Sequence, residues 1–230
     1  MTQAITEWSP KATARMAGMF YLLNMLTIFV AIFFFRGLFI SGDATATANN
    51  IAAHRSLFQS GFASELISTG CSLGVAALLY HLLSPINRSL SLLAAFCRLV
   101  ACGMFVVNYL FQLASSHSAG AESQPVGQML SALRADSSSI GIVFFAFHFV
   151  LIGYLILRSN FLPRLLGMLL IFAGFGGLAF LVPSFGRSIF VYFAPVGLVA
   201  ELSLTAWLLA KGVNVQRWDE QAKATVSLGQ

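Results

Sequence analysis

Charge is what this chain has least of. Asp, Glu, Lys and Arg make up 9% of its 230 residues, against roughly 25% in soluble domains, so water cannot be its main solvent. Cysteine is also scarce: Cys71, Cys97 and Cys102 lie in apolar stretches without Cys-x-x-Cys spacing or neighbouring histidines. That pattern excludes a disulfide framework or a zinc site and leaves buried thiols. Period-two alternation is missing from the apolar blocks, which excludes a membrane β-barrel.

The present residues are apolar: 58% are hydrophobic, and the mean hydropathy is +0.83. They fall in blocks at residues 17–40, 59–83, 89–114, 138–158, 162–183 and 187–210. Each is near the ~20 residues needed to cross ~30 Å of hydrocarbon. In lipid a helix satisfies its own backbone and an open sheet does not. The expected fold class is therefore all-α, a polytopic membrane bundle of six helices. A cytoplasmic segment, 1–16, precedes the membrane domain at 17–211, and a loosely ordered polar tail, 212–230, follows it. The first span is expected to stay as a helix. Its apolar run is longer than a signal-peptide core, and Arg36, Gly37 and Phe39 close it without a small-residue cleavage site.

The net charge of +5 comes from 13 basic residues scattered between the apolar blocks. Nucleic acid is thus not an expected partner, whereas the lipid bilayer is. Lys11, Arg15, Arg88, Arg158, Arg164, Lys211, Arg217 and Lys223 flank one side; Arg36, Arg55, Arg134 and Arg187 flank the other. The excess of eight over four predicts both termini in the cytoplasm. Two long connections, 41–58 and 115–137, then lie outside, with a short interfacial helix near Ile51–Phe58.

Four ionisable residues interrupt the spans: Glu65, Arg98, His148 and Glu201. In hydrocarbon such groups need partners or water. Arg98 lies ten residues after Arg88, His148 ten before Arg158 and Glu201 ten before Lys211. At 1.5 Å per residue, all three sit about 15 Å from one membrane face. Arg cannot lose its proton, so the simplest arrangement pairs Arg98 with Glu201. His148 would complete the network or relay protons through it. Glu65 lies nearer the other face, in reach of water, Arg55 or Arg134, with Ser68, Thr69 and Ser72 on the same stripe. Small residues on the charged stripes, and Gly167, Ala173, Gly174 and Gly177 in the fifth span, allow close helix approach.

Catalytic motifs give little support to a hydrolase or ATPase. There is no His-Glu-x-x-His and no phosphate-binding glycine loop, and a nucleophile-elbow serine is not expected either. Phe144 and His148 resemble the Phe-x-x-x-His element of membrane CAAX-type proteases, but the paired glutamates that should precede it are missing. No cofactor or metal is expected. Three readings of the buried charges remain: a small transporter or channel for a small molecule or ion, a structural or regulatory bundle clamped by Arg98 and Glu201, and an intramembrane enzyme using His148 as base on a lipid or lipidated peptide.

Several strings carry a family resemblance: ARMAGMFYLL at 14–23, Gly42-Asp43-Ala44, LLYHLLSPINR at 78–88, LLAAFCRLV at 92–100, GYLILRSNFLPRLLG at 153–167, and Glu201–Gly212 ending in LLAKG. In that order, over nearly the whole chain, they resemble the bacterial membrane family called domain of unknown function 4386. The resemblance implies a multi-pass protein of the bacterial inner membrane and carries no activity, ligand or cofactor with it.

Overall fold

The computed structural model describes residues 9–35, 37–40, 43–115 and 124–228. Every regular element among them is helical: α1 Pro10–Phe35, α2 Ala44–Ala53, α3 Arg55–Leu83, α4 Arg88–Ser115, α5 Gln124–Arg158, α6 Arg164–Leu178 with a short 3-10 turn Ala179–Leu181, α7 Pro183–Ala210 and α8 Val215–Leu228. Six helices are long and apolar enough to cross a membrane, the fifth counted through Leu181.

Local chemistry sets the ends. Pro10 opens α1, where a missing N–H costs nothing, and the Ser9 hydroxyl accepts from Ala12 N at 3.3 Å. Asp43 caps α2 by accepting from Ala46 N at 2.8 Å, and Asn87 Oδ1 accepts from Leu90 N at 2.9 Å at the start of α4. After α7 the chain turns through Gly212 at φ +64°. A side chain is disfavoured in that left-handed region.

The spanning helices form a closed ring. α1 packs on α3, α3 on α4, α4 on α5, α5 on α6 and α6 on α7, and α7 returns to α1. Outer faces are apolar and open, with Phe33, Phe175 and Tyr192 among the most exposed. They face the place lipid would take. The end of the bundle that holds α1's start and α7's finish is filled by an apolar core including Leu79, Leu83, Ile152, Ile156, Leu204 and Leu208. Polar groups collect in the other half.

Three expectations change. The connection expected at 115–137 is mostly helix: α5 runs for 35 residues, about 52 Å at 1.5 Å each, and so extends beyond the ~30 Å hydrocarbon layer. The stretch Gln124–Ser137 contains Met129, Leu130, Ala132, Leu133 and Ala135, strong helix formers that let the span continue. Residues 116–123 lie outside the described residues. In the other connection, the short helix is Ala44–Ala53, and Arg55–Phe58 already belong to α3.

The tail expected to be loose is helix α8, docked on the bundle. Trp218 Nε1 donates to Leu82 O at 2.9 Å, Gln221 Nε2 to Arg158 O at 3.1 Å, and Arg217 Nη1 to Asn160 O at 3.2 Å. Leu82 and Arg158 are in the last turns of α3 and α5, whose carbonyls have no partner within their own helices. α8 supplies them.

α5 and α6 approach each other closely. A Cβ on Gly153 would sit 2.7 Å from Gly167 O and 3.0 Å from Ile171 N, whereas one on Gly103 would meet nothing within 4 Å. Gly153→Ala should therefore lower stability by about 1–3 kcal/mol through overpacking. Gly103→Ala should be neutral or slightly stabilising. Thermal unfolding of both variants in the same detergent reads the contrast; equal midpoints would contradict the close contact.

Candidate functional site

Arg98 enters the ring interior from α4 and is fully buried. Its guanidinium has five N–H groups in a fixed fork. Nε donates to Ser72 Oγ on α3 at 2.9 Å. Nη1 serves Tyr21 OH on α1 at 3.1 Å and His148 Nε2 on α5 at 3.1 Å. The Tyr21 and Phe145 rings each lie 5.0 Å from the guanidinium carbon, within the range of cation–π attraction. One side chain thus ties four helices together.

The partners fix the state of His148. Its Nδ1 lies 2.8 Å from Ala94 O, which can only accept, and its Nε2 faces an arginine N–H, which can only donate. The ring must therefore be neutral with its proton on Nδ1. A second proton would set two donors against each other. Both nitrogens are occupied, so in this arrangement His148 completes the network.

Sequence reasoning paired Arg98 directly with Glu201, and that contact is not formed. Arg98 Nη2 and Glu201 Oε1 are both buried and both lack a hydrogen-bond partner, as does Thr205 Oγ1 one turn along α7. Glu201 is near enough for its charge and that of Arg98 to act on each other. The fork is already spent on α1, α3 and α5, and only its second terminal nitrogen remains for α7.

A cavity of about 240 Å³ with a mixed lining lies beside Glu201: Asn24, Ser68, Thr69, Ser72 and Tyr109 bring polar groups to it, and Ile28, Cys102, Phe105 and Phe145 apolar surface. Several waters would fit, at about 30 Å³ each. Asn24 Nδ2 donates to Ser68 O at 2.7 Å and to Ser68 Oγ at 2.9 Å, forming one wall from α1 and α3. A second cavity, an open apolar cleft of about 290 Å³ between α5, α6 and α7, also has Phe145 and Glu201 in its lining. Those two residues stand between the spaces.

Glu65 occupies a separate layer toward the α2 end. Its Oε2 accepts from Gln112 Nε2 at 3.2 Å, and Arg134 is close enough to act on it electrostatically while stacking over Phe39 at 4.3 Å. Thr69 Oγ1 donates to the Glu65 carbonyl at 3.0 Å and lies 3.4 Å from Tyr109 OH. Tyr109 and Thr69 thus sit between Glu65 and the cavity beside Glu201.

Tyr21, Asn24, Gln112 and the buried Tyr109 were not singled out as site residues from sequence. A signal existed on α4: Arg98, Cys102, Phe105, Tyr109 and Gln112 recur every three or four residues and so share one face. The string Gly70-Cys71-Ser72-Leu73-Gly74 does spell a nucleophile elbow, contrary to expectation. It lies inside α3 rather than on the strand-to-helix turn that exposes such a serine, and Ser72 accepts from Arg98. Cys71 and Cys102 are buried, Cys97 is half-buried, and all three are free thiols.

The fold and this interior define a multi-span helical membrane protein with a buried polar centre. The chain belongs to the family described as Domain of unknown function (DUF4386), whose model matches residues 16–212. It is also similar to an uncharacterized protein of Archaeoglobus fulgidus, 28% identical over 141 residues, which cover 60% of this chain and 75% of that relative. No solved structure matches the chain.

Removing Arg98 leaves Ser72, Tyr21 and His148 without their donor and the Glu201 charge without compensation. Arg98→Ala should cost about 3–5 kcal/mol; Glu201→Gln, which breaks no direct bond, about 1 kcal/mol or less. The exchange Arg98→Glu with Glu201→Arg should not restore stability, because an arginine on α7 does not inherit the three partners. Unfolding midpoints in detergent decide, and rescue by the exchange would reinstate a plain ion-pair clamp.

Proposed function

We propose that this protein is a small carrier-type membrane protein that binds a solute at the centre between Arg98 and Glu201. One observation carries the reading: Arg98 Nη2 and Glu201 Oε1 are buried without a hydrogen-bond partner, and Glu201, with the Arg98 partner Ser72, lines a cavity large enough for a small polar group. A static clamp would close that gap, because orphaned buried polar atoms cost about 1–3 kcal/mol each.

The surroundings favour a carrier over an open channel. On one side of the cavity lies the apolar core, on the other the layer of Thr69, Tyr109, Glu65 and Gln112. A centre set between two such layers suits a solute held midway. The proposed orientation has both termini in the cytoplasm and the Glu65 layer outside, supported by the eight-to-four bias of basic residues. The membrane proposed is the bacterial inner membrane.

The bonds from Arg98 to three other helices favour a second reading, a bundle held by its buried charge and nothing more. Cys102 separates the two, since it lines the cavity. With Cys71 and Cys97 replaced by Ala, Cys102 in proteoliposomes should react with the water-soluble reagent methanethiosulfonate ethylammonium. Tyr109→Ala should speed the reaction about tenfold, a barrier drop of ~1.4 kcal/mol. No reaction over hours in either protein would leave the purely structural reading.

A further inference from the structure

We propose that Glu65 is a proton-binding site: it holds a proton against Gln112 while the Thr69–Tyr109 layer is closed and gives it up to water as that layer opens. The proton site stands on its own geometry; its coupling to solute movement rests on the carrier reading of the Arg98–Glu201 centre.

Glu65 comes from α3 and Gln112 from the last turn of α4. Gln112 is fully buried, and Glu65 is 8% exposed. Gln112 Nε2 donates to Glu65 Oε2 at 3.2 Å, but Gln112 Oε1 is buried with nothing donating to it. An ionised carboxylate can only accept, so it leaves the amide oxygen unsatisfied. Turning the amide over does not help, because it sets that oxygen against Glu65 Oε2. A proton on Glu65 removes the mismatch: the acid O–H donates to Gln112 Oε1, and the acid carbonyl still accepts from Gln112 Nε2. Amide and acid then form a closed pair.

Among the described residues, the charged and titratable groups that act on Glu65 are Arg134 of α5 and Tyr109 of α4. Arg134 acts from a distance, its guanidinium lying over the Phe39 ring at 4.3 Å. α2 carries no titratable side chain, and those of α1, Lys11, Arg15 and Tyr21, lie toward the termini, at the Arg98 level or beyond. A metal cation suits the place less well than a proton. The Gln112 N–H already takes one carboxylate oxygen, Arg134 adds like charge, and a proton needs no room beyond the hydrogen bond itself.

The carboxyl sits on the layer that closes the cavity. Thr69 Oγ1 donates to the Glu65 carbonyl at 3.0 Å and lies 3.4 Å from Tyr109 OH, and both Thr69 and Tyr109 line the cavity. When the proton passes from the acid to water, two acceptors again face each other between α3 and α4. The ionised carboxylate draws water there, and the positive charge of Arg134 answers its own. Loss of the proton thus loosens the layer, and its return closes it.

Infrared spectroscopy of the full chain in a maltoside detergent, which has no carbonyl band, reads the proton directly. Near neutral pH the native chain should show the C=O stretch of an un-ionised carboxylic acid, and Glu65→Gln should lose it. Gln112→Met, which removes the acceptor at similar size, should keep the band and move it to higher frequency. Absence of any such band from the native chain overturns the proposal without a variant. So does a band that Glu65→Gln retains in full, or one that sodium chloride abolishes, which would give the site to a metal cation. If Glu65→Gln fails to fold, the Gln112→Met shift assigns the band, and an unmoved band overturns the proposal. Cys102 then tests the coupling, with Cys71 and Cys97 replaced by Ala. From neutral to alkaline pH its reaction with methanethiosulfonate ethylammonium should accelerate about fivefold more with Glu65 than with Gln there, the worth of one hydrogen bond. The thiol's own titration is common to both, so equal acceleration overturns the opening step. An acid band with Cys102 unreactive in both proteins rejects the carrier centre and keeps the proton site.

Discussion

Arg98 is a permanent cation in a place where only the protein can solvate it. Hydrocarbon offers no hydrogen-bond acceptor, and guanidinium cannot shed its charge there as a carboxyl or imidazole can. Its N–H groups must find oxygens, nitrogens or ring faces on neighbouring helices, and Ser72, Tyr21, His148 and Phe145 meet that need. The relative placement of α1, α3, α4 and α5 and the tautomer of His148 follow from that one requirement. What the fork cannot satisfy, its second terminal nitrogen, faces the gap toward α7.

The ring divides into two halves with different physics. Toward the termini the interior is apolar and close-packed, from Leu79 and Leu83 on α3 to Leu204 and Leu208 on α7. Toward α2 it is lined by Asn24, Ser68, Thr69, Tyr109 and Gln112. Tyr21 belongs to this apolar core while bonding Arg98, so the guanidinium sits where the halves meet. Dispersion and close glycine contacts hold one half. In the other, hydrogen bonds between side chains act together with the apolar cluster of Leu38, Ile51 and Phe58.

Six spanning helices and their small-residue faces were legible in the sequence, because a bilayer reads length and hydropathy directly. So were the four ionisable residues of the spans, since residue type alone makes them conspicuous in hydrocarbon. The extension of α5 was less visible: Gln124–Ser137 is too polar to register as a span, yet a helix already nucleated continues through such a stretch at little cost. Docking of α8 was not visible at all. Its sequence is polar, and what orders it is the unpaired carbonyls of α3 and α5, which come together only in the folded bundle.

By itself the sequence determined the solvent this protein is built for, the number of its spans, and which residues would be expensive to bury there. Only the tertiary structure decided who satisfies whom. Depth along a helix follows from counting residues, and it put Arg98 and Glu201 at one level. Contact depends on how each helix is rotated and where its fork is already engaged, and those are properties of the closed ring. For that reason Arg98 bonds to His148, Ser72 and Tyr21, and the expected partner on α7 stands across a gap with its oxygen unpaired.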